Sequence, residues 1–76
     1  MTKVHLPELG ENITKATLSY WFFQEGEKVS EKDDLVEFTT DKSTFNLPSP
    51  ATGILTQVMF HEGDTVPVGS LLAVIQ

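Results

Sequence analysis

Lys42 has the side chain in this sequence that is best placed for a chemical role. It is the only lysine after Lys32, and it lies in the segment Thr40-Asp41-Lys42-Ser43 between two runs that alternate apolar and polar residues. Such alternation predicts two half-buried strands, so Lys42 lies at the tip of a predicted β-hairpin. A two-residue hairpin turn usually contains Asn-Gly or Asp-Gly. A lysine there is ordinarily a solvated charge, but the unusual turn residues and the rigid pair of strands that presents Lys42 favour a further role for it.

The other reactive residue types predict no catalytic residue and no metal ion. The chain has no cysteine, which excludes thiolate zinc sites, redox cysteine pairs and cysteine nucleophiles. His61, followed by Glu62 and Asp64, imitates a metal site, but an equivalent turn begins at Gln24 without a histidine. His5 stands alone in a predicted strand, where a structural role is expected. No nucleophile-elbow sequence supports a Ser-His-Asp arrangement.

The elements that must position Lys42 form an internal repeat. A shift of 37 residues places Gly26 on Gly63 and aligns the two halves without gaps. Each half is predicted to contain a strand, a tight turn, a short strand and a further strand, with Gly26 and Gly63 as turn residues that can take positive φ. Lys42 lies between the two copies, where the sequence is free to specialise. Six residues keep the same type after the shift: Leu18, Phe23, Glu25, Gly26, Val29 and Leu35.

These patterns predict one all-β domain, a small sandwich or flattened barrel with internal pseudo-twofold symmetry. Seventy-six residues allow no second domain, and no stretch keeps the 3.6-residue apolar stripe of a helix. Alternation fails between Leu18 and Phe23, which predicts a bulge or a segment covered on both faces. Trp21, Phe22 and Phe23 are expected in the core.

The charge of the chain limits its partners. Eleven acidic residues and five lysines give a net charge of −6, which argues against binding nucleic acid or an anionic membrane surface. No apolar run approaches the ~20 residues of a membrane span. One acidic cluster is expected to be a solvated face that could also steer basic partners: Glu25, Glu27, Glu31, Asp33, Asp34 and Glu37.

The hairpin sequence resembles a known family. Residues 36–43 (Val-Glu-Phe-Thr-Thr-Asp-Lys-Ser), followed by Pro48-Ser49-Pro50 and Gly53, are similar to the lipoyl domain of the acyltransferase component of 2-oxo acid dehydrogenase complexes. Residues 6–13 and the turns at Gly26 and Gly63 resemble that family too, so the resemblance covers essentially the whole chain. It implies a barrel-sandwich hybrid of two four-stranded sheets.

The resemblance also implies roles for individual residues. Lys42 would carry covalent lipoate on its ε-amine, and Asp41 and Ser43 would help a lipoate-attaching ligase or lipoyl transferase to recognise it. Ser43 departs from the alanine or valine most often found there. Three glycines would be structural turn residues: Gly26, Gly53 and Gly63. A loop beside the hairpin would be recognised by the 2-oxo acid decarboxylase through Glu8, Gly10, Glu11 and Asn12.

As a carrier, the domain would catalyse nothing itself. Lipoate on Lys42 would accept an acyl group, transfer it to coenzyme A at the acyltransferase catalytic domain, and be reoxidised by dihydrolipoamide dehydrogenase. Whether the parent complex uses pyruvate, 2-oxoglutarate or a branched-chain 2-oxo acid stays open. Met1 and the stop at the end of a strand predict that residues 1–76 are the N-terminal domain of a longer acyltransferase chain. Bacterial cytoplasm and the mitochondrial matrix both fit.

Two alternatives accompany this interpretation. A biotin carrier domain shares the fold, but that family brackets its lysine with methionines, whereas the neighbours here are Asp41 and Ser43. An unmodified protein-interaction module of the same fold would leave Lys42 as an incidental surface charge.

Overall fold

The computed structural model describes residues 1–76, which form eight β-strands joined by turns. The strands are β1 (Thr2–His5), β2 (Lys15–Trp21), β3 (Lys28–Val29), β4 (Asp34–Thr39), β5 (Thr44–Pro48), β6 (Gly53–Val58), β7 (Thr65–Pro67) and β8 (Leu71–Ile75). They form two antiparallel sheets of four strands, with the orders β1-β8-β6-β3 and β5-β4-β2-β7. The predicted all-β architecture of two four-stranded sheets is confirmed. The structure contains no helix that is long and apolar enough to span a membrane.

The repeat in the sequence is also a repeat in the structure. The shift of 37 residues that aligns Gly26 with Gly63 also places β2 on β6, β3 on β7 and β4 on β8. The two halves exchange their short strands, because β3 pairs with β6 and β7 pairs with β2. Neither half therefore completes a sheet by itself.

The two glycine turns hold this exchange in place. Gly26 has a φ of 95° and Gly63 a φ of 94°, so the prediction that both are turn glycines is confirmed. The Gly26 N–H donates to the carbonyl oxygen of Leu55 at 2.8 Å, and the Gly63 N–H donates to the carbonyl oxygen of Leu18 at 2.8 Å. Each turn is thus bonded to the first long strand of the other half.

The carboxylates beside these glycines bond across the same boundary. Glu25 Oε2 accepts the backbone N–H of Val58 at 2.8 Å, and Glu62 Oε2 accepts the backbone N–H of Trp21 at 3.1 Å. Glu25 was expected to belong to a solvated acidic face. Its side chain is exposed, but it also joins the two halves.

The hydrophobic core lies between the two sheets. In β4, Val36 and Phe38 are fully buried, while on the edge strand β5 the side chains of Phe45 and Leu47 are half-buried. Phe38 and Phe45 stack with their ring centroids 5.9 Å apart. Phe38 therefore anchors the β4–β5 pair in the core. Thirteen buried residues form this core: Val4, Leu6, Ala16, Leu18, Val29, Leu35, Val36, Phe38, Leu55, Val66, Leu72, Ala73 and Ile75.

Strand β2 contains the predicted bulge. Its register against β4 shifts between Leu18 and Tyr20, and the extra residue changes which surface the following side chains occupy. Trp21 and Phe23 pack half-buried against the core, whereas Phe22 is 40% exposed and meets Tyr20 edge-on with ring centroids 5.1 Å apart. Of the two alternatives that the failed alternation left open, the bulge is therefore the correct one, and the prediction that Phe22 belongs to the core is wrong.

Gly53 is not the turn residue that the family resemblance implied. It is the first residue of β6, where it pairs with Val29 of β3, and its φ is not positive. A Cβ atom at this position would collide with the backbone carbonyl group of Gln76. Glycine is required here because two backbone segments approach closely, not because the chain turns.

Candidate functional site

Lys42 lies at the tip of the β4–β5 hairpin, as the alternating pattern predicts. The last paired residues of the two strands are Thr39 and Thr44, and the side chain of Lys42 beyond them is exposed. Its one hydrogen bond within the chain is donated by its backbone N–H. The ammonium group is therefore free to meet another molecule.

The side chain of Thr40 closes the turn. The backbone N–H of Thr40 donates to the carbonyl oxygen of Ser43 at 2.8 Å. The N–H groups of Lys42 and Ser43 in turn donate to Thr40 Oγ1 at 3.3 and 3.2 Å. In an ordinary tight turn, the backbone carbonyl oxygen of the first residue accepts the N–H of the fourth. Here the hydroxyl oxygen of Thr40 accepts the N–H of Ser43 instead.

This closure explains why the turn contains Asp-Lys and no glycine. A type I′ hairpin requires positive φ at both central residues, but neither Asp41 nor Lys42 has a positive φ. Thr40 is not among the site residues that the sequence predicts. The available signal was a threonine immediately before two central turn residues, a position from which its hydroxyl can bond the backbone two and three residues on.

The base of the hairpin is fixed to the rest of its sheet. Strand β4 lies between β5 and β2. On it, Thr39 Oγ1 lies 2.6 Å from Ser19 Oγ of β2 and 3.4 Å from Thr44 Oγ1 of β5. Phe38 is buried in the core beneath this row of hydroxyl groups. The base of the hairpin is therefore fixed in position, and Lys42 lies at the end of a rigid element.

A groove of about 540 Å³ runs along one side of the hairpin. Its walls are residues 11–17, hairpin residues 39–42 and Thr65 of β7. Glu11 and Asn12, two of the four predicted recognition residues, therefore lie in one groove with Lys42. Glu8 and Gly10 are exposed but do not line it.

The loop that forms one wall of this groove is shaped by two residues with positive φ. Gly10 has a φ of 128° and Asn12 a φ of 68°, and asparagine tolerates this region better than most side chains. The backbone N–H of Ile13 donates to the carbonyl oxygen of Gly10 at 3.4 Å. The loop is thereby bent next to the hairpin.

The remaining candidate residues have positions that structural roles explain. The N–H of His61 donates to Asp64 Oδ2 at 2.8 Å, and the N–H of Asp64 donates to the carbonyl oxygen of His61 at 3.0 Å, so this segment is the turn that the repeat predicts. His5 is exposed at the end of β1, with Nδ1 3.3 Å from the carbonyl oxygen of Gly69. No group of three or more histidine, aspartate or glutamate side chains lies close enough together to hold a metal ion.

Comparison with known proteins assigns this arrangement to a family. Residues 2–75 match the biotin and lipoyl family described as "Biotin-requiring enzyme". The chain belongs to this family. A solved structure that resembles this lipoyl-type domain is the lipoyl domain of the 2-oxoglutarate dehydrogenase complex from Azotobacter vinelandii. It superposes with a TM-score of 0.81 at 30% sequence identity, covering 97% of this chain and 94% of the other.

Two relatives are much longer chains. The domain is 44% identical over 75 residues to the dihydrolipoyllysine-residue succinyltransferase component of the 2-oxoglutarate dehydrogenase complex of Bartonella vinsonii subsp. berkhoffii, covering 99% of this chain and 18% of that protein. It is 49% identical over 70 residues to the dihydrolipoyllysine-residue acetyltransferase component of the pyruvate dehydrogenase complex of Mycobacterium tuberculosis, covering 92% and 13%. The chain thus spans less than a fifth of the length of these relatives. The resemblance to lipoyl domains is confirmed, and the biotin alternative is not favoured.

Proposed function

We propose that this domain is a lipoyl carrier in which Lys42 bears lipoate through an amide bond. The observation that carries the proposal is the position of Lys42, an exposed amine at the tip of a hairpin whose base is anchored by Phe38 and Thr39. The names of the relatives, components of 2-oxo acid dehydrogenase complexes, support a carrier that serves such a complex.

The residues around Lys42 fit a covalently attached group. Attachment joins Nζ to the carboxyl carbon of an activated lipoate. The activating group leaves and the ammonium group loses two protons, so the lysine charge disappears and the domain changes from −6 to −7. The groove beside the hairpin has only Ile13 and Ala16 as apolar lining residues. An apolar group gains little by entering it, so the domain favours an attached group that extends into solvent.

In the reactions that follow attachment, the domain positions the attached group and leaves it free to move. When bound, lipoate supplies a dithiolane that carries acyl groups and electrons. The side chains of Asp41, Lys42 and Ser43 are all exposed, so nothing in the chain encloses the attachment point. The chain also has no cysteine, so no thiol of this domain can exchange with the dithiolane. Tethering gives a high effective concentration at each active site, and weak affinity for each partner is then sufficient.

Different partners bind different parts of the hairpin surface. The lipoate-attaching ligase or lipoyl transferase recognises the tip, where Asp41 and Ser43 flank the lysine. The 2-oxo acid decarboxylase approaches from the side of the groove, where Glu11 and Asn12 lie. The acyltransferase catalytic domain and dihydrolipoamide dehydrogenase act on the extended group. The net charge of −6 favours basic surfaces on all of them.

The length of the relatives supports a place for the domain in a larger protein. We propose that residues 1–76 are one domain of a longer dihydrolipoyllysine-residue acyltransferase, because relatives of that description contain a matching segment that is under a fifth of their length. Such a complex works in the cytoplasm if the source is bacterial and in the mitochondrial matrix if it is eukaryotic.

Intact-mass spectrometry after expression in lipoate-competent cells tests the carrier function. The unaltered domain and the control variant Lys32→Arg should gain the mass of one lipoyl group, whereas Lys42→Arg should gain none. Lys32 is a matched control because it is also an exposed turn lysine. A biotin adduct would identify a biotin carrier instead, and no adduct under any lipoate supply would identify an unmodified interaction module.

Reductive acylation of the lipoylated domain identifies the parent complex. The domain is presented in turn to decarboxylases specific for pyruvate, 2-oxoglutarate and branched-chain 2-oxo acids. We expect one of the three to acylate it much faster than the others, since recognition involves the groove at Glu11 and Asn12 as well as the lysine. Equal rates with all three enzymes would contradict recognition through that groove.

A further inference from the structure

We propose that Thr40 is a positioning residue for attachment at Lys42, and that its side-chain oxygen holds the tip of the hairpin in the conformation that the attaching enzyme binds. This inference rests on the proposed carrier function. It concerns the backbone of the tip, and Thr40 itself takes no part in the bond-forming step.

A single atom, Thr40 Oγ1, takes part in most of the hydrogen bonds that fix the conformation of the tip. Thr40 Oγ1 accepts the N–H of Lys42 at 3.3 Å and the N–H of Ser43 at 3.2 Å. The same hydroxyl group lies 3.3 Å from the carbonyl oxygen of Ser43, to which it donates. The side chains of Asp41, Lys42 and Ser43 are exposed. The conformation of the four-residue tip therefore depends on the hydroxyl group of Thr40 and on one backbone hydrogen bond.

The fold does not depend on this hydroxyl group. Thr40 lies beyond the end of β4 at Thr39, and it is not part of the buried core. The base of the hairpin is secured independently by the stacked rings of Phe38 and Phe45 and by the contact between Thr39 and Ser19. Removing the Thr40 hydroxyl group should therefore loosen the tip and leave the two sheets intact.

A loosened tip has a specific kinetic consequence. An enzyme that binds one conformation has an apparent dissociation constant equal to the intrinsic constant divided by the fraction of that conformation. Once the correct conformation is bound, the Lys42 amine and its reaction are unchanged. Loss of the Thr40 hydroxyl group should therefore raise the KM of the attaching enzyme for the domain and leave kcat nearly unaltered.

The test uses Thr40→Val, which keeps the β-branched shape but removes the oxygen, together with Thr40→Ser, which keeps the oxygen. Thr56→Val is the matched control, because Thr56 Oγ1 also donates to a backbone carbonyl, that of Val74 at 3.1 Å, but in the other sheet. Each variant is assayed with a purified lipoate–protein ligase, ATP and lipoate. Thermal unfolding and amide hydrogen exchange at Lys42 and Ser43 are measured on the same samples.

We expect Thr40→Val to raise KM by roughly fivefold with kcat within about a factor of two. Faster amide exchange should be confined to Lys42 and Ser43, and the unfolding temperature should stay close to that of the unaltered domain. Thr40→Ser should restore KM, and Thr56→Val should not change it.

Two results would overturn the inference. One is an unchanged KM for Thr40→Val, and the other is a lower kcat that accompanies a general loss of stability. Failure of the proposed function is distinguishable, because then the unaltered domain itself is not lipoylated by the ligase, while the exchange of the Lys42 and Ser43 amides still reports whether Thr40 fixes the tip.

Discussion

At the scale of single residues, two exposed turn lysines have opposite backbone conformations. Lys42 does not have a positive φ, because Thr40 closes its turn through a side-chain oxygen. Lys32 has a φ of 77°, and the residue that the repeat aligns with it, Gly69, has a φ of 90°. The N–H of Lys32 donates to the carbonyl oxygen of Ser49 at 2.8 Å, so its backbone is held in a conformation that costs a side chain about 1–2 kcal/mol.

Replacing Lys32 with glycine should therefore stabilise the domain. The gain should be about 0.5–1 kcal/mol, because the relief of strain is partly offset by the greater freedom of glycine in the unfolded chain. The matched change in the other half, Gly69→Ala, introduces the same strain and should destabilise by about 1 kcal/mol. Urea unfolding measures both. A Lys32→Gly variant less stable than the unaltered domain would show that the lysine side chain makes a compensating contribution.

The same scale shows what the sequence could and could not predict. The tip position of Lys42 follows from alternation on both sides of it, and the positive φ of Gly26 and Gly63 follows from glycine in a short turn. Lys32 gives no such signal, because a lysine in a left-handed conformation is set by its surroundings. The role of Gly53 is not predictable, because a glycine needed for a close backbone approach looks the same in sequence as a glycine needed for a turn.

At the scale of elements, β6 begins in a crowded position. Gly53 faces the backbone of Gln76, whose N–H and carbonyl group form hydrogen bonds of 2.9 and 2.7 Å with Ile54. Long strands with clear alternation, such as β4 and β5, were predictable. The exchange of β3 and β7 was not, since strands of two and three residues carry too little pattern to identify their partners. The exposure of Phe22 was missed because a bulge alters the alternation that follows it.

Gly53→Ala should destabilise the domain by about 1–3 kcal/mol, because the added Cβ must displace Gln76 or the start of β6. The control Gln57→Ala changes an exposed residue of the same strand and should stay within about 0.5 kcal/mol. Chemical denaturation supplies both values. Because Gly53 and Lys42 belong to different parts of the fold, lipoylation of the folded Gly53→Ala variant should proceed normally. An alanine variant as stable as the unaltered domain would refute the close-approach explanation.

At the scale of the whole molecule, the exchange of short strands makes the two halves a single folding unit. Val29 on β3 and Val66 on β7 are both fully buried. Strand β3 belongs to the first half but joins the sheet whose central strands, β8 and β6, come from the second half, and β7 of the second half joins the sheet of β4 and β2. A domain of 76 residues has little stability to spare. We infer that neither half and neither sheet can unfold while the other remains.

Val29→Ala and Val66→Ala together test this inference. Each removes two buried methyl groups and should lower the free energy of unfolding by about 2 kcal/mol. Trp21, the single tryptophan, reports on the first half and on the sheet that contains β2, whereas far-UV circular dichroism reports on all strands. Val66 lies in the other half from Trp21, and Val29 lies in the other sheet. If the molecule is one cooperative unit, both variants shift the fluorescence and dichroism midpoints by the same amount. A fluorescence midpoint that stays in place for Val66→Ala would show independent halves, and one that stays in place for Val29→Ala would show independent sheets.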